Sequence, residues 1–151
     1  LVAALCVSGH VFSAFGGKLA ASVVAIAQTK AGLSFGDAFV RGILCNFLVC
    51  IAVWMANAAK TAGGKIAAVF FPIMAFVVAG FEHSVANMYY LAAGIFTAGQ
   101  TGAAAEGLTW GAALAGNLLP VTLGNLVGGG LLVGVSAWYL YLKQGRNSVN
   151  S

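Results

Sequence analysis

Residues 66–96 read IAAVFFPIMAFVVAGFEHSVANMYYLAAGIF, and the fold turns on how this stretch passes through an apolar medium. Between Ile66 and Ala105 the only titratable side chains are Glu82, His83, Tyr89 and Tyr90. As one unbroken helix the 31 residues would run about 46 Å, well past a hydrocarbon core of about 30 Å. The polar cluster FEHS (residues 81–84) falls near the halfway point, just after Gly80. A charge at the bilayer centre costs about 2.5–3.5 kcal/mol, so Glu82 and His83 must be buried in protein or face water. The spacing predicts one span broken in the middle, with two half-helices joined at Gly80–Ser84. Unwound backbone at that depth suits transport sites, where helix ends and freed peptide groups face a substrate.

The rest of the composition agrees. The chain of 151 residues is 61% hydrophobic and 7% charged, with a mean hydropathy of +0.97. A soluble domain carries about 25% charged residues, so the expected class is an all-α integral membrane protein forming a single domain over residues 1–151. The net charge of +4 is spread thinly, without the clustered basic face that nucleic-acid binding needs. Cys6, Cys45 and Cys50 lie in apolar stretches without metal-ligand spacing, and neither a metal nor a cofactor is implied. The chain starts apolar at LVAALCVSGHVFSAFG (residues 1–16), without the basic start of a signal peptide. This reads as the end of a transmembrane helix whose beginning is missing, in a sequence that is itself a fragment.

Further spans follow from length. Residues 19–35 are too short for a span, and too polar at their end, and read as a helix lying at the surface. A span is expected over about Ala38–Ala58 and the last over about Asn117–Tyr139, with Pro120 near its first turn. Gly124 with Gly128, and Gly130 with Gly134, are small-xxx-small pairs that permit close helix contact. Trp138, Tyr139 and Tyr141 beside Lys143 and Arg146 read as an interfacial aromatic belt with a basic flank. One side holds Lys60, Lys65, Lys143 and Arg146; the other holds Lys18, Lys30 and Arg41, offset by Asp37 and Glu106. The positive-inside rule places the first set in the cytoplasm.

Histidine exchanges a proton near neutral pH, which makes His83 the first functional candidate, with His83 and Asn87 expected on one face of the second half-helix. Glu82 could brace the break by accepting from unwound amides and from Asn87 or Asn125. Asn46 and Asn125 inside spans are equally consistent with plain helix–helix hydrogen bonding. Phe76 lies about 10 Å from His83 if the chain is helical between them, and alone it reads as a core or lipid-facing ring. Lys30 alone reads as an ordinary interfacial cation. HExxH, CxxC and phosphate-loop patterns are absent from the sequence, and no enzyme is expected.

RGILCNFLVCIAVWMA (residues 41–56), FPIMAFVVAGFEHSVANMYY (residues 71–90) and NLLPVTLGNLVGGGLLVG (residues 117–134) together resemble the formate/nitrite transporter family of bacterial and archaeal anion channels. The resemblance implies an aquaporin-like inverted-repeat bundle of six spans with a broken fifth helix, assembled as a homopentamer in the cell (inner) membrane. The present chain would then run from the end of the third span to the sixth, without the first two. By motif position His83 matches the central pore histidine, and Glu82, Asn87 and Asn125 match the network behind it. Phe76 matches an aromatic at an apolar constriction, Asn46 an asparagine near the outer vestibule, and Lys30 the vestibule lysine. YYLAAG (residues 89–94) departs from the pattern, since many members carry a proline after the aromatic pair.

The function so implied is a passive or proton-linked passage for small monovalent anions. The resemblance favours formate through Pro120, where nitrite-type members often carry a bulkier residue, with nitrite the runner-up and hydrosulfide, acetate or lactate remaining open. An aquaporin-like channel for neutral solutes and an inert fragment without a pore are the alternatives of another class.

Overall fold

The computed structural model describes residues 1–143, so Arg146 lies outside the described residues. All of its regular structure is helical: α1 (Val2–Ser8), two 3₁₀ turns (Val11–Ser13 and Phe15–Gly17), α2 (Lys18–Ala31), α3 (Phe35–Ala58), α4 (Ala62–Val78), α5 (Ser84–Thr101) and α6 (Leu119–Asn125). Flanking α6 are π-helical stretches at Ala112–Leu118, Leu126–Val135 and Trp138–Lys143. Among the described residues two helices are long and apolar enough to cross a membrane, Phe35–Ala58 and the continuous run Ala112–Tyr141. α4, of 17 residues, is shorter. The chain divides into two compact units, Leu1–Ala38 with Ser84–Pro120, and Phe39–His83 with the chain from Val121 onward.

The first unit is built on α2 and α5, with α1 against α5. Mostly small side chains make the core, with Phe12, Leu91 and Leu108 the large ones: Ala3, Val7, Phe12, Ala20 and Ala93 in one cluster, Val24, Ala27, Leu91, Leu108 and Ala113 in the other. The helix expected to lie at the surface is therefore half core, since Ala20, Val24 and Ala27 are buried. The Gln28 amide donates to the Glu106 carbonyl at 3.2 Å and ties the loop before the last helix to α2. That last helix starts earlier than the sequence suggested. Pro120 thus sits inside it and is fully buried, two residues beyond the π stretch that ends at Leu118. A proline offers no N–H to the ladder, and the wider π register just upstream accommodates the missing bond.

In the second unit α3 meets the last helix backbone to backbone. A Cβ on Gly124 would lie 3.0 Å from the Ile43 nitrogen and 3.1 Å from the Gly42 Cα, and Gly128 faces the Ile43 main chain as closely. The first small-xxx-small pair is therefore a helix contact. Gly130 meets nothing within 4 Å. At one end of this unit Trp54, near the end of α3, meets Tyr141 edge to face at 5.6 Å. Rings from α3 and from the end of the last helix thus share a level, with Lys60 and Lys65 in the chain just beyond α3.

Candidate functional site

The broken helix is present, and its geometry follows from a glycine. α4 ends at Val78, and Gly80 takes a left-handed conformation with φ of 68°, a region that side-chain-bearing residues enter at a cost. The Gly80 amide donates to the Val77 carbonyl at 3.1 Å and the Phe81 amide to the Phe76 carbonyl at 3.0 Å. That pair of bonds is a Schellman motif, which stops a helix and turns the chain. Residues 81–83 are then non-helical before α5 opens at Ser84.

Such backbone survives in a membrane only when protein satisfies it. In the second unit the Glu82 amide donates to the Arg41 carbonyl at 3.4 Å, and the Arg41 guanidinium reaches the Gly80 carbonyl at 3.5 Å. The Asn125 side-chain amide donates to the Glu82 carbonyl at 3.1 Å and to the Gly42 carbonyl at 2.8 Å. Asn46 donates to the Asn125 carbonyl at 2.7 Å, where the change from α to π register loosens the ladder. Asn46, Asn125 and Glu82 are thus brought together, and Asn125 reaches Glu82 through its main-chain oxygen. Glu82 is 3% exposed.

His83 and Phe76 stand closer than helical spacing allows. Their rings are nearly parallel, 29° apart, with centroids at 6.1 Å. The expected 10 Å separation fails because the Schellman turn folds the chain back on α4. His83 also precedes α5 rather than belonging to it, so the expectation that His83 and Asn87 share a helix face does not hold. Both rings are half-buried.

Lys30 and Asn87 belong to the first unit. Asn87, 1% exposed, donates to the Asn117 side-chain oxygen at 2.8 Å, and Asn117 donates to the Lys30 carbonyl at 2.9 Å. The Lys30 ammonium lies 5.6 Å above the Tyr90 ring. Sequence reasoning missed Asn117 by treating it as the start of a span. An asparagine in an uncharged block, eight residues before Asn125, was the signal available.

The formate/nitrite transporter family profile matches residues 1–139. The chain is 46% identical over 124 residues to a probable formate transporter of Methanothermobacter thermautotrophicus, covering 82% of this chain and 42% of that protein. It is 42% identical over 139 residues to the formate channel BtFdhC of Bacillus thuringiensis, covering 92% of this chain and 50% of that one. A solved pentameric formate channel with formate bound superposes with a TM-score of 0.83 at 36% identity, over 93% of this chain and 59% of that chain. The chain spans about half the length of the curated relatives it matches. The break, the buried polar groups around it and these likenesses lead to one conclusion: the chain belongs to the formate/nitrite transporter family.

Proposed function

We infer that this chain supplies part of a pore for small monovalent anions, formate foremost, in a homopentamer in a bacterial or archaeal inner membrane. The observation that carries the reading is His83 at a helix break, ring to ring with Phe76. Relatives named formate channels, and a solved relative described as pentameric with formate bound, support the substrate and the assembly.

The parts have distinct tasks. Lys30 raises the local concentration of anions at the entrance. Phe76 borders a neck where a hydrated charge is disfavoured, and Asn46 offers polar contact near the outer vestibule. At His83 the anion meets a cation or gains a proton, so that formate crosses the neck partly as the neutral acid. Glu82 and Asn125 hold the turn on which the ring sits, and Asn87 orders the first unit through Asn117.

The test is flux of formate, nitrite and glycerol into liposomes holding the protein, at about pH 5.5 and 7.5, either side of an unperturbed histidine. pH-dependent anion flux with glycerol excluded, weakened in His83→Gln, is the expected result. Equal passage of glycerol would return the neutral-solute reading, and unchanged pH dependence in His83→Gln would remove the ring from the mechanism. The formate-to-nitrite ratio ranks the substrates.

A further inference from the structure

The geometry points to Tyr90 and Asn117 as the residues that position the Lys30 ammonium, and through it set how strongly the protein gathers anions. This rests on the reading of Lys30 as an entrance cation.

Lys30 occupies the last turn of α2, where backbone carbonyls have lost their helical donors and a cation sits favourably against the helix dipole. Two attachments from elsewhere in the first unit meet this one residue. Its carbonyl takes the Asn117 amide at 2.9 Å, and Asn117 is oriented in turn by the Asn87 amide at 2.8 Å. Asn117 must both donate and accept here, which aspartate and leucine cannot do. The ammonium stands 5.6 Å over the Tyr90 ring, within the roughly 6 Å at which a cation is held by an aromatic face.

Asn87 and Tyr90 are three residues apart on α5, so they are neighbours on that helix. α5 therefore reaches the main chain of Lys30 through Asn87 and Asn117, and the side chain through Tyr90. Because α5 opens immediately after His83, the helix that follows the break also orients the entrance cation. Tyr90 is 42% exposed and Asn117 fully buried, so Tyr90 can be changed without opening a core.

The experiment measures formate uptake against formate concentration in liposomes holding the protein. Tyr90→Leu should raise the half-saturating concentration about two- to fivefold, the range of an exposed cation–π contact, with maximal flux unchanged. Tyr90→Phe keeps the aromatic face and should behave as the parent. Asn117→Ser should move the half-saturating concentration in the same direction as Tyr90→Leu. In a Lys30→Gln background, Tyr90→Leu should add nothing. An effect of Tyr90→Leu that persists in that background would mark the ring as merely structural and overturn the inference. So would a silent Tyr90→Leu beside an impaired Lys30→Gln. If Lys30→Gln itself is silent, Lys30 is no entrance cation and the inference falls with it, while His83→Gln still judges the pore histidine separately.

Discussion

Gly124→Ala isolates the contact between α3 and the last helix. The added Cβ would meet the Phe39 carbonyl oxygen first, then the Ile43 nitrogen at 3.0 Å and the Gly42 Cα at 3.1 Å. All three are main-chain atoms, so no rotamer change relieves the clash and the helices must part by several tenths of an ångström. The bonds from Asn125 to Gly42 at 2.8 Å and from Asn46 to Asn125 at 2.7 Å span the same gap and lengthen with it. Overpacking costs about 1–3 kcal/mol, while alanine gains about 0.8–1 kcal/mol over glycine as a helix former. Gly130 and Gly99 are helical and meet nothing within 4 Å, so their alanine variants collect the gain without the clash. In the difference the helix-forming gain cancels, leaving about 2 kcal/mol against Gly124→Ala. At about 2–4 °C per kcal/mol for a chain of this size, its apparent melting temperature in detergent should fall about 4–8 °C below those of Gly130→Ala and Gly99→Ala. Melting of all three within a degree would refute the close approach.

Two further substitutions probe the break. Gly80→Ala should destabilise by about 1–2 kcal/mol through its left-handed φ alone, since a Cβ there meets nothing within 4 Å. Gly80→Asn should cost less, and equal melting of the two variants would contradict a conformational origin. Asn125→Leu removes the donor to the Gly42 and Glu82 carbonyls. The loss should be about 1–2 kcal/mol, between an orphaned buried acceptor and the weaker average bond between membrane helices. Unchanged melting would show that Asn125 does not brace the break.

The broken helix was legible because an acid and a histidine sit mid-run in a stretch too long for one crossing, beside a glycine able to turn the chain. Asn46 and Asn125 were legible as polar residues inside spans, but not their partners, which are main-chain oxygens and carry no sequence signature. The approach of Phe76 to His83 was hidden for a related reason: helical spacing gives distances only while the helix continues. Nothing in AALAGNL (residues 112–118) announces a π register, which is why the sequence alone puts Pro120 in a first turn and makes Asn117 a boundary. The two glycine pairs look alike in sequence, and only the position of α3 separates them.

The scaffold around His83 bears on what its removal can mean. Val77 and Phe76 carbonyls receive the turn amides, Arg41 meets both Gly80 and Glu82, and Asn125 takes the Glu82 carbonyl. These bonds all run between groups other than the imidazole. His83→Gln should therefore keep the turn itself, since glutamine retains a donor and an acceptor where the imidazole stood, and the ring contact with Phe76 that it gives up lies, at 6.1 Å, toward the weak end of aromatic pairing, about 0.5 kcal/mol. Its melting temperature should stay within about 2 °C of the parent, clearly above that of Asn125→Leu. A folded His83→Gln with lost proton-linked flux would then report on the chemistry of the ring. If instead it melts as low as Asn125→Leu, the histidine is a brace for the break, and its effect on flux says nothing about proton exchange.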